Sequence, residues 1–266
     1  MSVPSSIIMN RDSNLYTFIF AALMVVVVAS VLAFTSQSLK DLQNDNVRKE
    51  KMQNILSTVG INIDREGAEN LFNKYITEQL AVQSDGSIDN SVNVFKDVKL
   101  ALELKKSAED QDFPLYVAQI ESDKYYIIPI RGNGLWNAIF GYISIKEDLN
   151  TVKGVVFDHV GETAGLGAEI TQDWFKERFI DEKLFDSDYN LMGITVSKTN
   201  NDPSNLDKSD HEVDFISGAT ITCDGVTDMI KERINHYVPY FKSIKESSNS
   251  LALSMQEISK TEIKLN

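Results

Sequence analysis

Three hydroxyls stand together in Asp214-Phe215-Ile216-Ser217-Gly218-Ala219-Thr220-Ile221-Thr222, just ahead of a long helix-periodic stretch. Ser217, Thr220 and Thr222 beside Gly218 and Ala219 make a composition suited to grasping phosphate through N–H and O–H donors. The same residues also fit an ordinary helix start, with Thr222 or Asp224 as N-cap and the other hydroxyls satisfying turn backbone. A second stretch runs from His159 to Glu169 and carries Gly161, Gly165 and Gly167 between a strand-like run and a helical one. Small residues at that density let backbone approach a flat or anionic ligand closely. A strand-to-helix turn that needs glycine for its φ angles accounts for them equally well.

Other chemistries lack their signatures. There is no GxxxxGK[ST], no GxGxxG opening a helix, no GxSxG, no HExxH and no CxxC. Cys223 is the single cysteine, so no internal disulfide can form, and with three histidines no Cys/His zinc site of the usual four-ligand kind can be assembled. No metal ligands and no catalytic residues are assigned. The net charge of −13, from 26 Lys+Arg against 39 Asp+Glu, argues against nucleic acid as a partner.

The elements that must position these loops follow from periodicity. Strands are predicted at Tyr125 to Ile130, Ala138 to Ile145, Lys153 to Phe157 and Gly193 to Lys198, each rich in β-branched or aromatic residues. Gly132-Asn133-Gly134 separates the first two and reads as a hairpin connection. Helices are predicted over Ile170 to Ile180 and over Val226 to Tyr237, the latter from Val226, Met229, Ile230, Ile234 and Tyr237 on one face. Earlier in the chain Leu71, Phe72, Tyr75, Ile76 and Leu80 share a helical face, and Asn46 to Leu56 is polar and helix-favouring. The composition is that of an α+β domain with a mixed, largely antiparallel sheet and flanking helices.

Leu15 to Phe34 contains no charge and spans about 30 Å as a helix, the thickness of a hydrocarbon core. The run exceeds the apolar region of a cleaved signal peptide, and no clean small-x-small cleavage site follows Phe34, so a retained single-pass anchor is expected. Lys40, Arg48, Lys49 and Lys51 beyond the span, against Arg11 before it, would by count alone leave the domain cytoplasmic.

DFISGAT matches the D-x-x-S/T-G-A-T flavinylation motif, and His159-Val160-Gly161-Glu162-Thr163-Ala164-Gly165-Leu166-Gly167 resembles the H-x-x-E-T-P-G-L-G stretch of the same flavoprotein domains. With Gly132-Asn133-Gly134-Leu135-Trp136 and the single N-terminal span, the chain resembles the C subunits of sodium-translocating NADH:quinone oxidoreductases over roughly residues 10 to 240. The G subunit of the Rnf complex shares both flavin motifs and is the nearest alternative. Ala164 stands where proline is usual, a change that loosens the turn without removing a contacting side chain.

The resemblance implies a covalent FMN joined by phosphoester to Thr220, with Asp214, Ser217, Gly218 and Ala219 completing the motif read by a separate flavin transferase. It further implies that Glu162 and Thr163 hydrogen-bond the flavin or its ribityl chain, that Gly165, Leu166 and Gly167 line its face, and that Leu135 and Trp136 pack on the ring. His159 is given no proton-transfer role. The implied segments are 1–14, a transmembrane helix over 15–36, stalk and packing helices over 37–100, an FMN-binding domain over 101–241 and a polar tail over 242–266. The implied function is electron relay inside a multi-subunit complex of the bacterial inner membrane, with no turnover by this chain alone. The flavin domain is expected on the periplasmic side, against the charge count. A non-covalent phosphate-ligand binding module and a purely structural anchor are the competing classes. No carboxylate lies within Leu15 to Phe34, so a sodium path through this span has no ligand.

Overall fold

The computed structural model describes residues 13–247. The chain divides into two compact units between Glu50 and Lys51. The described part of the first unit is helical from Asn14 onward. Its helix, α1 (Asn14–Ser57), has 44 residues, more than twice what a hydrocarbon core requires, and the expected span and the polar run after it are one uninterrupted element. Phe18, Val25, Leu32 and Phe34 lie exposed along it. A helix segment that is apolar on all sides and buries none of that surface in protein is suited to lipid.

The second unit begins with the last residues of α1. Met52, Ile55 and Leu56, spaced i, i+3, i+4, are buried there. After α2 (Ala68–Tyr75) come β1 (Ile76–Val82), β2 (Ile88–Asp89) and the short α3 (Leu100–Glu103). Then β3 (Phe113–Ile120), β4 (Asp123–Asn133), β5 (Ala138–Lys146) and β6 (Val152–His159) run as a meander. The six strands form one antiparallel sheet in the order β2-β1-β3-β4-β5-β6.

Alternation along the central strands explains why both faces are covered. On β3, Leu115 and Val117 point into one core while Tyr116 and Ala118 point into the other; on β4, Ile128 and Ile130 oppose Tyr125 and Ile127 in the same way. One core takes Met52, Ile55, Leu56 and Phe72, and the other takes Val226, Met229, Ile230 and Ile234. The latter four lie on α5 (Thr220–Asn235), which packs against β4. Between β6 and α5 the chain makes a 3-10 turn at Gly167–Thr171, the four-residue α4 (Asp173–Lys176), a second 3-10 turn at Glu177–Phe179, and a parallel pair of β7 (Thr195–Ser197) with β8 (Glu212–Asp214).

Three expectations change. Leu80 lies on β1, not on a helix, because Ile76 to Val82 pairs with β3 and the sheet supplies the hydrogen bonds that a helix would have made internally. The sheet thus includes β1, inside the stretch read as stalk and packing helices. The helix expected over Ile170 to Ile180 is broken: Ile170, Phe175 and Phe179 are buried against β6, and tertiary packing prevails over helix continuity. The last helix starts six residues earlier than its apolar periodicity. Just ahead of the tail expected from Lys242, exposed or loosely docked, Phe241 is buried beside Tyr126 and Tyr237; residues 238–247 are helical, and 242–247 are exposed or half-buried. The rest of that tail, and residues 1–12, lie outside the described residues.

Candidate functional site

Three segments meet at one edge of the domain. The hairpin turn at residues 134–137 is closed by the Gly134 N–H donating to the Asn137 carbonyl at 2.8 Å. The loop that leaves β6 carries Glu162 to Gly167, and the turn before α5 delivers Gly218 to Thr222. Between them is a cleft of about 170 Å³ lined by Leu135, Glu162, Thr163, Leu166, Gly167, Gly218, Ala219, Thr220, Ile221 and Thr222. Eight of the twelve residues singled out from the sequence therefore line one cleft, although they come from three separate parts of the chain.

The α5 end of the cleft offers free donors. Thr220 is the first residue of the 16-residue helix, its N-cap position is Ala219, and no side chain caps it. Neither Thr222 nor Asp224 plays the capping role that a helix start permits, since both lie inside the first turns. The first N–H groups of α5 thus keep their hydrogen-bonding capacity and the positive end of the helix dipole at the cleft. Gly218 reaches this turn with φ +79°, a left-handed conformation, and a Cβ there would meet Leu166 Cδ2 at 2.7 Å.

Glu162 holds the three segments together. It is buried, its Oε1 accepts the Trp136 backbone N–H at 3.0 Å, and its Oε2 accepts the Thr222 hydroxyl at 2.7 Å. Its own N–H donates to His159 Nδ1 at 3.1 Å, so His159 serves as a turn acceptor. Burial works to raise the Glu162 carboxyl, but hydrogen bonds from the Trp136 N–H, the Thr222 hydroxyl and the Asn137 backbone, with His159 nearby, hold it below the usual range. Close approach is possible because glycines flank it. A Cβ at Gly134 would lie 2.5 Å from Glu162 Oε1, and one at Gly167 would lie 2.5 Å from Thr222 Oγ1.

The other sequence-selected residues lie outside the lining. Trp136 is exposed, outside the lining, and its Nε1 donates to Thr163 Oγ1 at 3.2 Å. Gly165 is at the loop tip and donates its N–H to Glu169 Oε1 at 2.9 Å. Ser217 is exposed on the turn. Asp214 ends β8, where its carbonyl accepts Arg178 Nη1 at 2.6 Å and its Oδ1 accepts the Asp202 N–H at 3.3 Å, so it anchors the approach to the turn. Thr222 and Ile221 join the lining without having been assigned to it from the sequence. The hydroxyl at Thr222 is visible there, but its Glu162 partner lies 60 positions away and no spacing rule reaches that far.

Leu135, Leu166 and Ile221 in the lining, and Trp136 bonded to Thr163 beside it, are large apolar side chains left exposed at this cleft. Such a rim suits a flat aromatic ligand. The cleft is smaller than the roughly 300 to 1,000 Å³ of ordinary small-molecule pockets, so it fits one polar end of a ligand and leaves the rest against the rim. A larger cleft, about 370 Å³, lies beside Lys153–Val156, but its ionic lining includes the paired Lys176 and Asp173 and none of the motif residues.

Residues 134–235 match the FMN-binding domain family. The C subunit of the Na(+)-translocating NADH-quinone reductase of Haemophilus ducreyi is 27% identical over 91% of this chain and 98% of its own length. Its counterpart in Vibrio anguillarum is 30% identical over 82% of this chain and 89% of its own. Among solved structures, the counterpart from Parabacteroides distasonis is 32% identical, covers 76% of this chain and 96% of its own, and superimposes with a TM-score of 0.68. Shewanella oneidensis NqrC, 24% identical with a TM-score of 0.61 over 75% of this chain and 98% of its own, shares the fold. Fold and cleft thus define a single-pass, membrane-anchored FMN-binding subunit. The chain belongs to the family of the C subunits of Na(+)-translocating NADH-quinone reductases, which are oxidoreductase complexes.

Proposed function

We propose that this chain carries FMN joined by a phosphoester to Thr220 Oγ and relays electrons between redox centres of a sodium-pumping NADH-quinone reductase. The observation that carries this reading is the position of Thr220, at the uncapped start of α5 and in the lining of the cleft. A phosphate on its Oγ lies next to the free N–H groups and the positive end of the helix. Small residues at Gly218 and Ala219 leave the approach to Thr220 open for a separate flavin transferase, which a threonine hydroxyl, a weak nucleophile, requires. Leu135, Leu166 and Trp136 then bear on the ring, and Thr163 hydrogen-bonds near the ribityl chain. A shallow cleft with a covalent tether suits a cofactor that stays put while other subunits approach its exposed edge.

Flavin supplies the redox chemistry when bound, and the chain supplies its position and surroundings. No dissociable substrate site is required, so turnover belongs to the assembled complex. A transferase that works in the periplasm argues for the domain on that side of the inner membrane, and the single cysteine is compatible with it.

The test is mass spectrometry of the full chain from its native membrane, intact and by peptide, with in-gel flavin fluorescence after denaturation. The expected result is a mass excess of FMN less one water on the peptide holding Thr220, absent in a folded Thr220→Ala variant. An unmodified Thr220 in a host with active flavin transferase overturns the reading.

A further inference from the structure

The resemblance implies that Glu162 is a flavin ligand, but both of its carboxylate oxygens are engaged by the protein. Oε1 accepts from the Trp136 N–H and Oε2 from the Thr222 hydroxyl, at 3.0 and 2.7 Å. Thr222 is itself almost completely buried, and its hydroxyl is directed to that carboxylate. We infer that Glu162 and Thr222 act as a brace: they tie the first turn of α5, which begins with Thr220, to the Leu135–Trp136 turn across the cleft. Glu162 is then a positioning residue, and Thr222 joins it in that role. The inference rests on reading the cleft as the flavin site.

The physical case has two parts. The Leu135–Trp136 turn is exposed at its tip, and a buried carboxylate with donors on both sides is a strong, directional link from it to the first turn of α5. In addition, a Cβ at Gly134 would meet Glu162 Oε1 at 2.5 Å, and one at Gly167 would meet Thr222 Oγ1 at the same distance. The backbone has been brought in around the brace on each side. Because Trp136 Nε1 also donates to Thr163 Oγ1, the same link fixes the indole and the Thr163 hydroxyl. Losing it frees both walls at once.

The experiment uses the full-length chain in detergent, flavin-loaded and in a flavin-free Thr220→Ala background. It reads amide exchange at Trp136, the flavinylated fraction by mass, and the flavin midpoint potential. Thr222→Val keeps the shape and removes the donor. It is expected to lower Trp136 protection by about tenfold or more, the size of a lost hydrogen bond to a charged group, and to lower the flavinylated fraction and shift the potential. Thr222→Ser should restore all three readouts. Glu162→Gln should keep Trp136 protected, because its amide can still accept from Trp136 and meet the Thr222 hydroxyl through its NH2. Glu162→Asp, too short to span both partners, repeats the Thr222→Val test should that variant not fold.

The brace is overturned if Thr222→Val leaves Trp136 protection unchanged, or if protection falls while flavinylation and potential stay put. Unmodified Thr220 in the wild-type chain overturns the functional reading instead. The brace then stands or falls on amide protection in the Thr220→Ala background.

Discussion

The approach of α5 to β4 can be tested at one atom. A Cβ added at Gly132 would lie 2.7 Å from Met229 Cβ and 3.4 Å from the Gly225 carbonyl oxygen. Met229 Cβ is one bond from the helix backbone, so no rotamer change relieves the overlap. Restoring ordinary contact at 3.4 Å requires 3.4 − 2.7 = 0.7 Å of movement between strand and helix. Two effects oppose each other in Gly132→Ala. Replacing a strand glycine recovers about 0.5–1 kcal/mol of backbone entropy, whereas overpacking a close-packed core costs about 1–3 kcal/mol. The clash should win by about 1 kcal/mol, which for a domain of this size lowers Tm by about 2–4 °C. Since α5 begins at Thr220, its displacement should also lower the flavinylated fraction. Gly161→Ala is the control, because nothing lies within 4 Å of the added Cβ, and it should unfold like wild type. Thermal unfolding of the three chains decides. If Gly132→Ala melts at or above wild type with unchanged flavinylation, the argument that close approach at this glycine sets the α5 position is refuted.

Two further outcomes follow from buried groups. Glu182 is fully buried, with Oε1 accepting from Asn205 Nδ2 at 2.6 Å and lying 3.8 Å from Lys208 Nζ, and burial pushes its carboxyl from 4.5 up to about 7. Folding therefore retains a proton that the unfolded chain releases, so stability should fall as pH rises from about 4.5 through 7 and then level off. Glu182→Gln should remove this slope, gaining on the order of 2–3 kcal/mol over wild type between pH 4.5 and about 8 in urea unfolding; parallel profiles would count against it. Leu56, fully buried at the end of α1, should cost about 2–5 kcal/mol as Leu56→Ala. A loss under about 1 kcal/mol would mean that this stretch of α1 is not part of the domain core.

How much was legible in the sequence depends on the distance over which each signal acts. The apolar run of Leu15 to Phe34 needs no partner to be read, because its length and lack of charge are set by the solvent around it. The strands β4, β5 and β6 carry their own enrichment in β-branched and aromatic residues, and the glycine loops and the hydroxyl segment announce a close approach to something. What they could not state is which approach. Gly167 makes room for Thr222, and Gly218 meets Leu166, both contacts across more than fifty positions. β3 went unread although Phe113 to Ile120 is apolar and β-rich, and Leu71 to Leu80 fitted a helical face while its second half joined the sheet. A strand's hydrogen bonds lie in another segment, so local pattern competes with a partner it cannot see.

The candidate site divides along the same line. Residue types alone pointed to Thr220 and Gly218 and to the chemistry they suit, since a hydroxyl and a bare backbone are properties of the residue, whereas Glu162 and Leu135 entered through the family resemblance. Tertiary structure decided that the turn after β4, the loop after β6 and the start of α5 share one cleft, that α5 begins at Thr220 without a cap, and that the Glu162 carboxylate is occupied by Trp136 and Thr222. The type of a polar group is written in the sequence, but whether it is free to meet a ligand depends on the partners that folding brings to it.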